Sequence, residues 1–261
     1  MLDFHNHLMP AVDDGAQNLD ESREGLATLR DQGVREIITT PHFQASVVSR
    51  PKEAAAHLEA LDAAWAQLKS LAESEFQDLR VERGVEVALD IPKPRIEDER
   101  LRLAGSSFVL VEFPHMNIPP NSTLAIRQLV QTGVRPVIAH PERYSGMTGN
   151  DDLIDSWRSA GAFIQVNSGS LLGYYGANPK RLAWWILSRG SADYLSSDYH
   201  SRGKCSVAEC ATLMKARGGE AQHRALTMTN PRRILLDQMP LPVAPFNPAE
   251  TPLWKRLAPW R

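Results

Sequence analysis

The sequence predicts an α/β barrel built from repeated βα units, and three observations carry that expectation. One pattern recurs along the chain: a helical stretch, a Gly, an apolar β-branched run, then a polar residue at the run's carboxyl end. Side chains able to bind a metal stand at those ends, where catalytic groups sit in folds of this class. A length of 261 residues accommodates one barrel-sized domain. Strands joined through helices pack in parallel with right-handed crossovers, and seven or eight of them close into a barrel. Seven strand candidates are readable, at about 2–4, 34–40, 81–87, 108–113, 134–139, 162–166 and 192–196.

The first fifteen residues set the theme. Leu2–Phe4 reads as a strand that leads directly into His5-Asn6-His7. In extended chain, residues two apart share a face, so both imidazoles can aim at one object, and imidazole is the commonest metal ligand. Asp13 and Asp14 follow, before Gly15, and add oxygen donors. Residues 18–32 read as a helix with Asn18 as N-cap, Glu21 at N3, Leu26 and Leu29 on one face and Gly33 as the stop. The strand from Val34 delivers Pro41-His42. Ala54–Glu75 carries Leu58, Leu61, Trp65, Leu68 and Leu71 at helical spacing and reads as a long amphipathic helix over the barrel. Strands 81–87 and 108–113 hold Glu86 and Glu112. Helices at about 122–132 and 151–160 stop at Gly133 and Gly161, ahead of strands that lead to His140-Pro-Glu-Arg143 and Asn167-Ser-Gly-Ser. Asn178-Pro179 reads as N-cap and N1 of a helix closing at Gly190, whose strand delivers Ser-Ser-Asp198-Tyr-His200. Adjacent on that helix, Trp184 and Trp185 cannot share a face, and one is expected in the core. From Gln238 onward six prolines forbid regular structure, and the basic, aromatic ending is expected to dock back on the body.

Composition excludes several classes. A net charge of −2 gives no argument for a nucleic-acid or anionic-membrane partner. No apolar run approaches the length of a membrane span, and Met1 stands at the start of the first strand, so a cytoplasmic protein is expected. Cys205 and Cys210 are too few for a secreted disulfide framework. They also cannot form the phosphate loop of a thiolate phosphatase, because the closing Arg positions hold Ala211 and Ala216.

The strand-end census is His5, His7, Asp14, His42, Glu86, Glu112, His140, Asp198 and His200. Singly, Glu86 or Glu112 reads as half of a salt bridge and His42 as a loop histidine. Jointly, acids and histidines without a strongly basic partner read as a multi-metal site. Nitrogen and oxygen donors without thiolate suit Mn²⁺, Fe²⁺ or Zn²⁺. His57, His115 and His223 are left out of the set. A multi-metal site supplies hydroxide at neutral pH, the chemistry of phosphoester hydrolysis. Arg143, three residues beyond His140, can grip a phosphoryl group with two prongs; otherwise it is a surface partner of Glu142.

His5-Asn-His7, Thr-Pro-His42, Gly84-Val-Glu86, Leu-Val-Glu112-Phe, His140-Pro-Glu-Arg143 and Ser-Asp198-Tyr-His200 resemble the motifs of the PHP (polymerase and histidinol phosphatase) superfamily. Val-Asp13-Asp14-Gly15-Ala, Val-Asn167-Ser-Gly-Ser-Leu-Leu-Gly173 and Asn230-Pro narrow the resemblance to bacterial capsule-type tyrosine-protein phosphatases. It covers residues 1–237, read as the phosphatase domain, and leaves 238–261 as a Pro-rich tail. The resemblance implies a distorted seven-stranded β/α barrel of PHP type with three divalent ions, usually manganese. It implies His5, His7 and Asp198 on one ion, Glu86 bridging to a second held by Glu112 and His140, and Asp14, His42 and His200 on the third. Arg143 becomes the transition-state-stabilising residue, and the nucleophile a metal-bound hydroxide. The implied substrate is phosphotyrosine on the tail of a membrane-associated bacterial tyrosine kinase controlling capsule or exopolysaccharide synthesis. Phe43–Arg50 departs from the family's usual loop after Thr-Pro-His, which puts substrate contacts there in question. Two alternatives are a small-molecule phosphoesterase of histidinol-phosphatase type and a non-catalytic, metal-stabilised PHP binding module.

Overall fold

The computed structural model describes residues 1–148 and 152–245. Eleven short strands are found among them: β1 (Leu2–Asp3), β2 (Asn6–His7), β3 (Glu36–Thr39), β4 (His42–Gln44), β5 (Arg80–Arg83), β6 (Glu86–Ala88), β7 (Phe108–Glu112), β8 (Arg135–Ala139), β9 (Phe163–Asn167), β10 (Tyr194–Ser196) and β11 (Tyr199–His200). They form three sheets, ordered β1-β3-β5, β10-β9-β8-β7-β6-β4 and β11-β2. All pairings are parallel. The result is a mixed α/β fold with helices supplying the crossovers.

Strand alternation divides the apolar side chains into two cores. Phe108, Leu110, Val137, Ala139, Ile38 and Tyr194 pack with Leu2 and Phe4 on one face. Their neighbours Val109, Val111, Ile138, Ile37 and Leu195 join the helices on the other. Side chains two apart on a strand share a face, so one register places both sets. The outer layer is held by α1 (Leu19–Asp31), α2 (Pro51–Glu75), α3 (Ser122–Gln131) and α4 (Asp152–Ser159). Trp157 of α4 is fully buried and donates its indole N–H to Ser122 Oγ of α3 at 3.0 Å. The first helix starts as its sequence requires, with Glu21 N–H donating to Asn18 Oδ1 at 2.9 Å.

The structure departs from the sequence reading in four ways. The strand expected at 81–87 breaks in two at Gly84, and those expected at 34–40, 2–4 and 192–196 end at Thr39, Asp3 and Ser196 and are each followed by a second short strand, β4, β2 and β11. Pro41 cannot donate to a ladder. A Cβ on Gly84 would stand 2.9 Å from Leu103 Cδ2 and 3.2 Å from Leu103 Cα, so the chain runs close against Leu103 there. Helix α5 (Ser168–Leu172) and helix α6 (Ala177–Ser188) follow β9, and α6 starts after Gly176 rather than at Asn178. Pro179 therefore lies inside the first turn, where the missing N–H costs no helical hydrogen bond. Neither Trp184 nor Trp185 is fully buried; Arg217 stacks on the first at 4.5 Å and Arg189 on the second at 4.9 Å. Finally, the sequence reading did not anticipate helix α7 (Val207–Ala216) or the nearly continuous helical segment 220–234, which contains a π turn at Ala225–Thr229. Residues 238–245 pack against the body: Asn230 exchanges hydrogen bonds with Leu241, and Gln222 donates to Ala244 O at 3.0 Å. The Trp-containing ending lies outside the described residues.

Candidate metal centre

All nine strand-end residues converge. His5 lies between β1 and β2, His7 in β2, His42 at the head of β4 and Glu86 at the head of β6. Glu112 closes β7, His140 follows β8, Asp198 sits between β10 and β11, and His200 ends β11. Asp14 comes from the loop after β2. Two of these positions are backbone outliers: His140 has φ 33° and Asp198 φ 54°. Left-handed geometry at non-Gly residues is costly and gathers at functional sites.

The seam between the first and last strands is fixed by a buried carboxylate. Asp3 accepts Ser197 N–H at 2.8 Å, Ser197 Oγ–H at 2.7 Å, Asn6 Nδ2–H at 3.2 Å and the Ser196 hydroxyl. Ser196 Oγ in turn accepts the N–H groups of Phe4 and His5 at 3.0 and 2.9 Å. His5, His7 and Asp198 are thereby set against one another.

Glu86 is the centre of the cluster. Its Oε1 lies 3.1 Å from His140 Nε2 and 3.3 Å from His5 Nε2. Its Oε2 lies 3.1 Å from His42 Nδ1 and 3.7 Å from His7 Nε2. Asp198 Oδ1 stands 3.3 Å from His5 Nε2 and 3.2 Å from His7 Nε2. Asp14 Oδ1 stands 3.5 Å from His42 Nε2 and 3.2 Å from His200 Nε2. Glu112 Oε1 is 3.5 Å from His42 Nδ1. Four compact donor groups result: His7, Asp14, His42 and His200; His5, His140 and Asp198; His5, His7 and Glu86; His42, Glu86 and Glu112. The set Asp14, His42 and His200 coincides with one that the resemblance implied, with His7 beside it. His140 falls with His5 and Asp198, and Glu112 with His42.

Charge is concentrated here. Burial disfavours ionised His5, but the Glu86 and Asp198 carboxylates prevail and lift its pKa to about 9. Burial likewise opposes a charged Glu86, yet the nearby His5, His140 and His42 imidazoles hold it well below the usual range. Burial and the Glu86 charge push Glu112 up to about 7.

The donor set fits divalent cations. Five buried atoms in the cluster have no hydrogen-bond partner: His5 Nε2, His7 Nε2, His42 Nδ1, His140 Nδ1 and Glu86 Oε2. Buried polar atoms are nearly always satisfied, and a group of imidazole and carboxylate atoms left without hydrogen bonds in one place is the chemistry that a divalent cation would satisfy. On His5 and His7 the opposite ring nitrogen is occupied, Nδ1 lying 3.0 Å from Gln165 Oε1 and 2.7 Å from Asp13 Oδ2, and His200 Nδ1 lies 3.1 Å from Asp198 O. A partner on one nitrogen fixes the tautomer and aims the other, as metal-binding imidazoles require.

Arg143 stands at the edge of this cluster. Its side chain is 20 % exposed, forms an ion pair with Asp198 and stacks over the Tyr175 ring, 4.1 Å from the centroid. Its neighbour Glu142 is not the surface partner that the bland reading required. That carboxyl is buried, is pushed up to about 7 by burial, and accepts Asn167 N–H at 2.9 Å. Asn167 Nδ2 donates to Asp198 Oδ2 at 3.1 Å.

Sequence reasoning missed the orienting residues Gln165, Asn167 and Glu142, and took Asp13 only as a further oxygen donor. The signal for Gln165 was present: a polar side chain inside an otherwise apolar strand, on the parity that faces the cluster. His57, His115 and His223 belong to none of the four donor groups. Cys205 and Cys210 are buried, with both thiols pushed up to about 12 by burial, and neither belongs to the site.

Comparison with known proteins adds the following. The family model "Capsular polysaccharide synthesis, CpsB/CapC" matches residues 1–236. Tyrosine-protein phosphatase YwqE of Bacillus subtilis is 32% identical over 203 residues, covering 77% of this chain and 78% of that protein. Tyrosine-protein phosphatase CpsB of Streptococcus pneumoniae is 26% identical over 253 residues, covering 92% and 100%. A crystal structure from work on YwqE and CpsB, described as unique metal-dependent tyrosine phosphatases, matches with a TM-score of 0.78 at 29% identity, covering 96% of this chain and 100% of that one. Histidinol phosphate phosphatase from Lactococcus lactis matches at a TM-score of 0.51 and 13% identity over 81% of this chain and 90% of that one, a likeness of fold alone.

Proposed function

The chain belongs to the CpsB/CapC capsular polysaccharide synthesis family, and on that premise we propose that it is a metal-dependent protein-tyrosine phosphatase whose active site is the nine-residue cluster beside Arg143. The observation that carries this reading is the set of buried imidazole nitrogens that face carboxylates without hydrogen bonds, with one guanidinium at the rim. Three ions, manganese by preference, with iron or zinc as alternatives, would be held by His5, His7, Asp14, His42, Glu86, Glu112, His140, Asp198 and His200. Ions in such a site lower the pKa of water and neutralise charge on a phosphoryl group.

The chain's own groups supply the rest. Arg143 presents a planar fork to the phosphoryl oxygens, where charge grows as the ester bond breaks. The ion pair with Asp198, which also accepts Asn167 Nδ2–H, holds that fork in place, and the Tyr175 ring lies over one face of it. Tyrosine leaves as a phenolate whose acid has a pKa of about 10, so no dedicated general acid is required.

The three sheets support a distorted seven-stranded barrel. Pairings run β1-β3, β3-β5, β4-β6, β6-β7, β7-β8, β8-β9, β9-β10 and β11-β2, so the broken strands trace a ring back to the first. We read residues 1–237 as the catalytic domain and 238–261 as an appended tail. The substrate is then the phosphotyrosine-bearing tail of a membrane-associated bacterial tyrosine kinase, met in the cytoplasm. No described helix is long and apolar enough to cross a membrane.

Turnover of a phosphotyrosine peptide against histidinol phosphate by the manganese-loaded protein tests the reading. Strong preference for the peptide is expected; preference for histidinol phosphate would place the protein among small-molecule phosphoesterases.

A further inference from the structure

We propose that Tyr175 forms the aryl-recognition wall of the substrate pocket, and so makes the site selective for aryl over alkyl phosphate esters. The inference rests on the phosphotyrosine reading above and goes beyond it by naming the selecting residue. Tyr175 is 38 % exposed, yet its ring covers one face of the Arg143 guanidinium at 4.1 Å and its hydroxyl lies 3.4 Å from Asn167 Nδ2. It is therefore an aromatic surface open to solvent and fixed at both ends to residues that touch Asp198. Gly169 makes room for it, because a Cβ there would stand 3.0 Å from Tyr175 Cε2.

Substrate geometry explains why an exposed ring at this place matters. A phosphoryl group gripped by Arg143 carries its ester oxygen and then, in phosphotyrosine, the phenyl ring directly. That ring must leave the site past whatever lines the Arg143 side of the entrance, which is Tyr175. Offset or edge-to-face contact between two rings is favourable over centroid separations of about 4.5–7 Å. A phosphoserine or other alkyl ester places only a methylene there and gains nothing comparable. Stacked aromatic contact of this kind corresponds to roughly two- to tenfold in affinity.

The experiment compares full-length wild type, Tyr175→Phe and Tyr175→Leu, each loaded with manganese and checked for metal content. Steady-state constants are measured on a phosphotyrosine peptide and its phosphoserine counterpart. Binding of phenylphosphonate and methylphosphonate, which are not hydrolysed, is measured by calorimetry. Tyr175→Phe is expected to keep the aryl preference. Tyr175→Leu is expected to raise KM for the phosphotyrosine peptide and weaken phenylphosphonate two- to tenfold, with kcat nearly unchanged and the alkyl ligands unaffected. Equal losses on aryl and alkyl ligands, a drop in bound metal, or no change at all would each overturn the assignment. Wild type that fails to favour phosphotyrosine would instead overturn the phosphatase reading itself.

Discussion

At the scale of single residues, the site separates two kinds of group. Arg143 has only donors and stays charged, so it cannot ligate a cation. His140 has one nitrogen 3.1 Å from Glu86 and another with no partner in the buried cluster. Arg143→Ala should therefore keep the fold and the full complement of metal while losing about a hundred- to a thousandfold in turnover, or roughly 3–4 kcal/mol. Arg143→Lys should recover part of that, since a compact ammonium cannot reproduce the fork. His140→Ala should lower metal stoichiometry and rate together. Metal analysis beside turnover checks all three; near-wild-type turnover of Arg143→Ala would reduce that residue to the Asp198 and Tyr175 contacts seen here. The identities of these side chains were legible in the sequence because each stands where an apolar run ends. Their supports were harder to see. Glu142 looked like a surface acid beside an arginine, and nothing in its local sequence reveals that its carboxyl turns inward to Asn167. Asp3 looked like a strand residue, and its bonds to Ser196 and Ser197 cross more than 190 positions of sequence.

At the scale of elements, the breaks in the strands are what bring the donors inward. Periodicity located seven strand regions, because alternation and Gly stops act locally. It could not show that 81–87 would divide or that three others would be followed by a second short strand, since both answer to neighbours: Gly84 packs close to Leu103, and His42 N–H donates to Asp13 Oδ2 at 3.1 Å. The loop after β2 is governed the same way. Gly15 N–H donates to Asp13 Oδ1 at 2.9 Å, and Ala16 N–H donates to His7 O at 3.0 Å, so the loop folds back tightly on its own strand. A Cβ on Gly15 would fall inside contact distance of His7 O and His7 Cβ. Gly15→Ala should consequently force the loop outward, displacing Asp13 and Asp14 from His7, His42 and His200. Reduced metal content and turnover with unchanged far-ultraviolet circular dichroism is the expected outcome. Wild-type metal content in that variant would show that the loop does not set the site.

At the scale of the whole molecule, one face of the strand ends carries the chemistry and the opposite side carries the closing contacts. The segment 220–234 and residues 238–245 belong to those contacts. Asn230 is fully buried and bonds to Asp193 O at 3.0 Å as well as to Leu241 in both directions. Val243 is buried against Gly190. The prolines after Gln238 predicted irregular chain, and residues 238–245 are irregular; the anchor was invisible because Asn230-Pro was legible only as a family motif. Truncation after Pro245 should keep the fold and the activity on a small phosphotyrosine peptide. Truncation after Asp237 should lower the melting temperature, because it exposes Asn230 and removes Val243. Loss of peptide hydrolysis on the shorter deletion would make the last residues part of the site.

The most direct measurement is hydrolysis of a phosphotyrosine peptide by the full chain after exhaustive chelation, with bound metal counted, and again after manganese is restored. Activity should vanish with the metal and return with it. Full activity in protein that contains no detectable metal would contradict the assignment of the cluster as the catalytic centre.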